Sequence, residues 1–375
     1  MPNSASSFGP QRRLLIAGGG TGGHLFPGIA VAERVRADGG QVHFVGTARG
    51  VESRLLPELG WPLSRIKVAG LKGRGLSAKL GVVARLPAAY FACRRLVREF
   101  RPTAVVGVGG YASGPMVMTA WSMGIPTAIL EQNSIPGLTN RCLSRVVRRV
   151  CTMFEDEAQA FPPAKVKVTG NPVRAALIEQ LSVGDAAPRT ESARLLVFGG
   201  SQGARAINEA MMKLAPQLAE RVPGFELWHQ TGTADEPRVR AAYEQAGLDH
   251  DKHRVMPFIT DMAAAYAWSD AVLCRAGATS VAELTFSRRP AVFVPLPSAA
   301  DNHQEHNARA VVEAGGAWMV RQDELGSRRT IDTIVSLLTD ADQRATMGQA
   351  MHSLARAGAV DAVLAEIDAI SVYPR

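Results

Sequence analysis

Residues 12–24 read RRLLIAGGGTGGH, so that a short apolar run enters a cluster of glycines ending in a histidine. A helical pattern follows, whose apolar residues are Ile29, Val31, Ala32 and Val35. Glycines after a strand let backbone N–H groups approach an anion closely, and the following helix adds its positive end. The stretch therefore predicts the first strand, loop and helix of a Rossmann-like domain with an anion site.

The same pattern starts again in the second half of the chain. Residues 194–204 read RLLVFGGSQGA, and a helix through Ile207 and Leu214 follows. Further apolar strands are predicted at residues 42–45, 104–108, 127–130, 166–169, 225–229, 271–274, 291–294 and 317–320. Apolar strands that alternate with helices indicate parallel pairing. We therefore predict an α/β fold of two Rossmann-like parallel-sheet domains that face each other across a cleft.

A length of 375 residues agrees with two domains rather than one. The joint is predicted near residues 171–174, NPVR, because Pro172 disfavours helix in the residue before it. We expect an N-terminal domain over residues 1–172 and a C-terminal domain over residues 173–345. Residues 346–375 are expected to form helices that pack back on the N-terminal domain.

Basic residues are concentrated in the first half of the chain. Residues 1–170 carry 22 Lys and Arg against 9 Asp and Glu, whereas the remainder carries 20 against 25. This asymmetry predicts an anionic partner for the first half, such as lipid headgroups, nucleic acid or a phosphorylated substrate. An aromatic content of 6% leaves few stacking platforms, which disfavours nucleic acid.

Between residues 70 and 101 basic residues alternate with apolar ones, a mixture that suits the surface of an anionic bilayer. The residues assigned to membrane contact are Lys72, Leu76, Lys79, Leu80 and Val83. A second basic cluster either extends this face or grips a diphosphate, and it comprises Arg141, Arg145, Arg148 and Arg149. The alternative for residues 70–101 is a core helix with a solvated charged side.

The sequence disfavours a membrane-spanning protein and a disulfide framework. Residues 102–130 lack charge and could span a bilayer in length, but glycines and prolines interrupt them. We therefore predict a strand, a loop, a helix and another strand there. No signal peptide is expected, because the first apolar run breaks at once into glycines. The four cysteines form no CxxC pair and are expected to be inert thiols.

The first glycine loop formally matches a dinucleotide fingerprint, with Gly18, Gly20 and Gly23 at the required spacing. The acidic residue that should close the second strand and bind ribose is absent from residues 45–47, VGT. Arg49 could serve a 2′-phosphate, so NADP stays an alternative. Two glycine loops, one in each half, better fit a protein that holds a nucleotide in one domain and an acceptor in the other. Tight turns without a ligand are the other interpretation.

Several motifs, in order along the chain, resemble those of the family of N-acetylglucosaminyltransferases that convert lipid I to lipid II in peptidoglycan synthesis. They are GGTGGHLFP at residues 19–27, GGY at 109–111, EQN at 131–133, GNPVR at 170–174, GGSQGA at 199–204, RAGA at 275–278 and DNHQ at 301–304. The resemblance covers nearly the whole chain from about residue 12. Residues 1–11 have no counterpart that we can assign.

The resemblance implies a GT-B fold and an inverting, metal-independent transfer that needs no cofactor. The donor would be UDP-N-acetylglucosamine. The acceptor would be the 4-hydroxyl of the N-acetylmuramyl-pentapeptide of undecaprenyl-diphosphate lipid I. The resemblance also implies a peripheral protein at the cytoplasmic face of the inner membrane, with cell-wall and division proteins as further partners.

The resemblance assigns the UDP-sugar mainly to the second domain. By position, Glu283 corresponds to the ribose ligand, and an ordinary helix-surface acid is the alternative. Ser201, with its neighbours Gln202 and Gly203, would face the pyrophosphate. Arg174 would pair with the same phosphates as a bidentate donor.

The remaining donor contacts are also taken from the resemblance. Backbone near Ile259 would read uracil, while Gln304 and Asn133 would hydrogen-bond the sugar. The residues expected against the nucleoside are Ala278, Thr279, Ser280, Val281 and Ala282. This segment differs slightly from the family's commoner motif. The difference puts the individual contacts of these five residues in doubt, but not the assignment of Glu283.

An inverting attack by the acceptor hydroxyl needs a general base. His24 is the candidate, because it ends the first glycine loop and imidazole titrates near neutrality. A structural role for His24 is the alternative, and Glu131 or Tyr111 could instead position the acceptor or share the proton. The loop residues assigned to substrate binding are Thr21, Gly22 and Gly23.

No metal site is predicted. The DxD strings that would suit a divalent ion occur at residues 249–251 and 340–342, both in polar segments where chance explains them. The spacing of His303, Glu305 and His306 is weak evidence for ligands.

Three other functions stay open. UDP-N-acetylglucosamine 2-epimerases share the two-domain architecture but lack the pairing of GGTGGH with GGSQGA and need no basic apolar face. A non-catalytic UDP-sugar sensor at the membrane would release no UDP. A glycolipid synthase that acts on diacylglycerol is the nearest rival among transferases.

Overall fold

The computed structural model describes residues 11–48, 50–68, 86–183, 193–200, 203–299 and 302–373. The described residues fall into two compact units. Unit 1 takes them from Met1–Gln132, Pro136–Arg174 and Gly358–Arg375, and unit 2 from Asn133–Ile135 and Ala175–Ala357. The domain bounds at residues 172 and 345 stay a prediction.

Among the described residues of unit 1, seven parallel strands pair in the order β3-β2-β1-β4-β5-β6-β7. They are β1 Arg13–Ala17, β2 Gln41–Gly46, β3 Leu63–Arg65, β4 Ala104–Gly107, β5 Thr127–Glu131, β6 Arg149–Thr152 and β7 Val166–Val168. The helices that accompany them are α1 Gly22–Ala37, α2 Glu52–Glu58, α3 Leu86–Phe100, α4 Ser113–Ser122, α5 Leu138–Leu143 and α6 Glu155–Ala158.

Among the described residues of unit 2, six parallel strands pair in the order β10-β9-β8-β11-β12-β13. They are β8 Ala193–Phe198, β9 Phe225–Gln230, β10 His253–Met256, β11 Ala271–Cys274, β12 Ala291–Phe293 and β13 Ala317–Met319. The helices are α7 Ala175–Val183, α8 Arg205–Arg221, α9 Glu236–Gln245, α10 Met262–Trp268, α11 Ala278–Ser287, α12 His303–Glu313, α13 Arg328–Thr339 and α14 Ala341–Ser353. Helix α15 Ala359–Ile370 closes the chain and belongs to unit 1.

The central strand β1 shows why the apolar runs form parallel sheet. Leu14, Leu15, Ile16 and Ala17 are all fully buried, because helices cover both faces of the sheet. Leu14 and Ile16 pack in one core with α15, while Leu15 and Ala17 pack in the other core with α3 and α4. The predicted fold class of two Rossmann-like parallel-sheet domains is confirmed.

Helix α15 fills one face of the sheet of unit 1 with Val363, Leu364, Ile367 and Ile370. Ion pairs add to this packing. Arg12 donates to Asp368 at 2.7 Å, and Arg149 donates to Glu366 at 2.7 Å. Helix α14 instead packs in unit 2, where His352 Nδ1 lies 3.1 Å from the carbonyl oxygen of Thr285 on α11.

The second basic cluster of the sequence is partly engaged by the last helix of unit 1. Arg149 pairs with Glu366, and Arg148 donates to the carbonyl of Ile370, so both are engaged by the last helix of unit 1. Arg141, Arg145 and Arg148 are exposed, and Arg149 is partly buried. The last helix of unit 1 therefore supplies acceptors for two of the four arginines, and the role of the cluster stays a prediction.

The charge-free stretch at residues 102–130 forms β4, α4 and β5, as predicted. Within the part of the chain that the structure describes, no helix combines the length and the apolar character needed to cross a bilayer.

The strand order reverses between β1 and β4 in unit 1 and between β8 and β11 in unit 2. In doubly wound sheets, ligands bind beyond the carboxyl ends of the strands at such a reversal. The loops after these four strands are therefore where a site is expected in each unit.

Candidate functional site

The first glycine loop lies against the loop that follows β4. Gly19 N–H donates to the carbonyl oxygen of Gly109 at 3.2 Å. A Cβ atom on Gly18 would lie 2.3 Å from the same oxygen, so only glycine permits this approach. The two loops at the strand reversal of unit 1 are thus in direct backbone contact.

A glutamate that the sequence analysis did not identify holds the first glycine loop in place. Glu52, at the start of α2, is 0% exposed. Its Oε2 accepts from Gly20 N–H at 2.7 Å, and its Oε1 accepts from the N–H and the hydroxyl of Thr47, each at 2.9 Å. A Cβ atom on Gly19 would lie 2.5 Å from the carboxyl carbon. A dinucleotide-binding fold would offer the N–H of Gly20 to a pyrophosphate, but here this N–H donates to an internal carboxylate. This hydrogen bond weighs against the NADP alternative.

His24 lies in the first turn of α1, at the strand reversal of unit 1. Its Nδ1 is 3.2 Å from Oε1 of Gln132, which is 2% exposed, and Gln132 Nε2 donates to the carbonyl of Val108 at 3.3 Å. The ring also lies over Gly109, where a Cβ atom would be 2.7 Å from Nδ1. Gln132 was not among the predicted site residues, although it stands inside the EQN motif.

The other two predicted catalytic residues differ in exposure. Tyr111 is exposed, whereas Glu131 is buried at the end of β5. Glu131 Oε2 accepts from Gly137 N–H at 3.1 Å and from the amide of Asn140 at 3.0 Å. Glu131 therefore holds the loop between β5 and α5, and its catalytic assignment stays a prediction.

Arg174, the last residue of unit 1 before α7, is partly buried. Its guanidinium carbon lies 5.4 Å from the centroid of the Phe26 ring, a cation–π contact. Its Nε has no hydrogen-bond partner among the described residues. The predicted loop residues Thr21, Gly22 and Gly23 lie at the start of α1, with Thr21 exposed.

In unit 2 the second glycine loop is tied to the strand beside it. Gln230, at the end of β9, donates through Nε2 to the carbonyl of Gly200 at 2.8 Å and accepts at Oε1 from Ile259 N–H at 2.9 Å. Gly203 packs against Thr231, since a Cβ atom on Gly203 would lie 1.9 Å from its carbonyl oxygen. Ser201 and Gln202 lie outside the described residues. Gln230 was missed, and its only signal is a polar residue that ends a buried strand.

Glu283 faces the interior of unit 2 from helix α11. It is 8% exposed, and its Oε2 accepts from the hydroxyl of the fully buried Tyr266 at 3.1 Å. The alternative of a helix-surface acid is therefore excluded. The residues of the same helix expected against a nucleoside are buried except for Ser280, and they comprise Ala278, Thr279, Val281 and Ala282.

Two further residues shape the loop after β12. Gln304 Oε1 accepts from Leu296 N–H at 3.0 Å, which turns the amide nitrogen of Gln304 away from that backbone. Arg275 is buried and donates to the carbonyls of Val294 and Pro295 at 3.0 and 3.1 Å. The guanidinium of Arg275, in the RAGA motif, is therefore hydrogen-bonded to the backbone that follows β12 and is not a free cation.

A buried polar network lies beneath the second glycine loop. His229 Nδ1 is 2.9 Å from the hydroxyl of Tyr243, and Nε2 is 3.1 Å from Oδ1 of Asn208. Asn208 Nδ2 donates to the carbonyl of Thr231 at 2.9 Å. Burial lowers the pKa of His229 to about 3 and raises the pKa of Tyr243, so both groups are neutral near pH 7.

This network predicts a stability that depends on pH. Unfolded histidine titrates near pH 6.5, so between about pH 6.5 and pH 3 the unfolded state binds the extra proton. The contribution of His229 is therefore fully present above about pH 6.5 and is lost as the pH falls. We expect the free energy of unfolding to decrease by about 1 kcal/mol per pH unit on this account.

Urea unfolding of wild type and His229→Gln between pH 7.5 and pH 4.5 measures this slope. The variant should show a shallower slope, and the exposed His250→Gln should match wild type. Equal slopes for His229→Gln and wild type would contradict the prediction.

The polar strings considered for metal binding have structural uses. Asp249 accepts from Asp251 N–H at 2.9 Å, and Asp340 caps α14 by accepting from Gln343 N–H at 2.8 Å. The described residues contain no group of three or more metal-ligating side chains.

Comparison with known protein families places both units in one family. Residues 14–152 match the N-terminal domain of glycosyltransferase family 28, and residues 194–363 match its C-terminal domain.

Named relatives match over most of their length. The UDP-N-acetylglucosamine–N-acetylmuramyl-(pentapeptide) pyrophosphoryl-undecaprenol N-acetylglucosamine transferase of Anaeromyxobacter dehalogenans is 48% identical, over 91% of this chain and 88% of the relative. The protein of the same name from Geobacter metallireducens is 44% identical over 95% and 98%. The crystal structure of MurG from Acinetobacter baumannii superposes with a TM-score of 0.73 at 32% identity, over 96% of this chain and 99% of that one.

Proposed function

The chain belongs to glycosyltransferase family 28, and from that premise we propose that it transfers N-acetylglucosamine from UDP-N-acetylglucosamine to lipid I, forming lipid II. The acceptor group is the 4-hydroxyl of the N-acetylmuramyl-pentapeptide on undecaprenyl diphosphate. The observation that carries the proposal is the match, at 44–48% identity over most of their length, to relatives named for this transfer. The N-terminal domain binds the acceptor and the C-terminal domain binds the donor.

The donor contacts follow from the groups that unit 2 presents. Glu283, whose Oε2 also accepts from Tyr266, accepts hydrogen bonds from the ribose hydroxyls. The N–H of Ile259 is engaged by Gln230, so the carbonyl of Ile259 accepts from N3–H of uracil. Gln304 donates its amide to the sugar together with Asn133, because its Oε1 is held by Leu296 N–H.

UDP is the leaving group, and hydrogen-bond donors and positive charge stabilise the negative charge that grows on its diphosphate. In this proposal the resemblance assigns Ser201 and Gln202 to the pyrophosphate, the N-terminus of α11 adds its dipole, and Arg174 adds a guanidinium. His24 takes the proton from the 4-hydroxyl, whose oxygen attacks C1 of the sugar from the face opposite UDP. The bond from C1 to the diphosphate oxygen breaks, and its electron pair leaves with UDP, so the anomeric configuration inverts.

Release of UDP tests the proposal and separates it from its rivals. Wild type with UDP-N-acetylglucosamine and EDTA should release UDP only when a polyprenyl-diphospho-N-acetylmuramyl-pentapeptide analogue is added. Diacylglycerol in place of that analogue should give none, and UDP-N-acetylmannosamine, the product of a UDP-N-acetylglucosamine 2-epimerase, should not form. Tight UDP binding without acceptor-dependent release would overturn the transfer and favour an epimerase or a sensor.

We further propose that unit 1 attaches to an anionic membrane surface. The residues assigned to membrane contact, Lys72 to Val83, lie outside the described residues. The helix that follows them, α3, carries Phe91 at 67% exposure beside exposed Arg95 and Arg98, and Leu138 at the start of α5 is 72% exposed. Exposed large apolar side chains among arginines are typical of a surface that inserts into headgroups while it attracts anionic lipid.

Sedimentation with vesicles tests this attachment. Phe91→Glu combined with Leu138→Glu should lower binding to anionic vesicles at least about tenfold, since two apolar groups are lost and two negative charges are added. Trp318→Glu, at an aromatic side chain of unit 2 that is 43% exposed, is the control and should bind as wild type. Wild-type binding that is independent of anionic lipid would overturn the proposal.

A further inference from the structure

We infer that Gln132 is a positioning residue that holds His24 in the tautomer with a proton on Nδ1 and a free lone pair on Nε2. This inference rests on the proposed transfer, in which His24 acts as the base, and it names the nitrogen that accepts the proton. The other ionisable side chains on or beside these loops are Glu52 on α2, Tyr111 after β4 and Glu131 at the end of β5.

The orientation of the Gln132 amide follows from the chemistry of its partners. The carbonyl of Val108 can only accept, so the amide nitrogen of Gln132 must face it at 3.3 Å. The amide oxygen then faces His24 Nδ1 at 3.2 Å, and an oxygen that can only accept requires a proton on Nδ1. If the amide were rotated, its oxygen would face the carbonyl oxygen of Val108, and two acceptors would lie together without a donor. Because Gln132 is 2% exposed, water could not compensate for them.

The remaining nitrogen of the ring is available for chemistry. Nε2 of His24 makes no hydrogen bond to any residue that the structure describes, and the ring is partly exposed. Gly109 lies under the side of the ring that bears Nδ1, where any larger residue would displace it. The ring therefore has one nitrogen fixed by the protein and the other directed away from that contact.

An amide partner differs from a carboxylate in one respect that matters for a base. Both select the Nδ1–H tautomer, but a carboxylate also stabilises the imidazolium, as in the Ser-His-Asp triad. A neutral glutamine orients the ring without adding that charge. Neutral imidazole in water favours the proton on Nε2, the form that cannot accept a proton there, so the tautomer must be imposed.

The first test reads the tautomer directly. Nitrogen NMR of the full-length protein labelled with ¹⁵N-histidine distinguishes the two forms, and His24→Ala assigns the signal. Wild type and Gln132→Glu should show the proton on Nδ1, whereas Gln132→Met should shift it to Nε2. A wild-type His24 that carries its proton on Nε2 would overturn the inference.

The second test reads catalysis. We expect Gln132→Met to lower kcat about 100-fold while the Kd for UDP stays at the wild-type value. Gln132→Glu should retain activity at high pH but move the acid limb of the kcat profile to higher pH, because the added carboxylate favours the imidazolium. Gln217→Met, at an exposed glutamine of α8, is the matched control.

The outcomes separate the inference from the proposed function. A wild type that releases no UDP with the lipid I analogue refutes the transfer, while the nitrogen signals still decide the tautomer. A wild-type kcat for Gln132→Met refutes the positioning role even if the transfer is established. If Gln132→Met fails to fold, as judged by urea unfolding, the pH profile of Gln132→Glu decides instead, and an unshifted acid limb refutes the inference.

Discussion

Replacing His24 with alanine is expected to lower the turnover number by about 10²- to 10⁴-fold, the usual contribution of a general base. The Kd for UDP-N-acetylglucosamine should stay within about twofold of wild type, since the interaction that is lost belongs to the transition state. His24 Nδ1 is held by Gln132 in unit 1, whereas the proposed donor contacts such as Glu283 lie in unit 2. Acceptor-dependent UDP release and calorimetric binding of the donor measure the two quantities.

A chemical control sharpens this result. His250→Ala removes an exposed histidine of unit 2 and should leave turnover unchanged. Added imidazole should restore part of the activity of His24→Ala, because a diffusible base can occupy the vacated space. If His24→Ala had the turnover number of wild type, His24 would not be the base. Glu131 and Tyr111 would then be the remaining candidates.

Replacing Glu52 with alanine is expected to lower the free energy of unfolding of unit 1 by about 3 kcal/mol and to abolish most of the activity. The change removes the acceptor of the partly buried hydrogen bonds from the N–H groups of Gly20 and Thr47, and an unsatisfied donor costs up to about 1–3 kcal/mol where water cannot reach it. It also opens a cavity beneath the loop that leads into His24. Glu52→Gln keeps the volume but turns an amide donor toward one of these donors, so an intermediate loss is expected.

Urea unfolding and UDP release measure these effects. Glu209→Ala, at a solvent-exposed glutamate on α8 that pairs with Arg205, is the control and should leave the free energy of unfolding near the wild-type value. A Glu52→Ala protein as stable and as active as wild type would show that the glycine loop keeps its shape without the internal carboxylate.

Residues with a local signature could be placed from the sequence. The apolar runs of β1 and β8 are continuous because both faces of their strands are buried, and the glycines after them mark the ends of the strands. His24 and Glu283 could be proposed because each lies in a motif that resembles a known family. Their partners could not, because Gln132 is 108 residues from His24, and Tyr266 stands on a separate helix from Glu283.

Sequence by itself determined the elements of this protein: two repeats of strand, glycine loop and helix, the basic first half, and the family to which the motifs belong. These are properties of composition and short-range spacing, which the local backbone expresses directly. Only the tertiary structure decided that Glu52 fills the first glycine loop, that Gln132 holds His24, that Gln230 ties Gly200 to Ile259, and that the last helix completes the core of unit 1. Each of these pairings joins residues far apart in the chain, and the partner is selected by burial, since a polar group removed from water must find a match among the groups that the fold brings beside it.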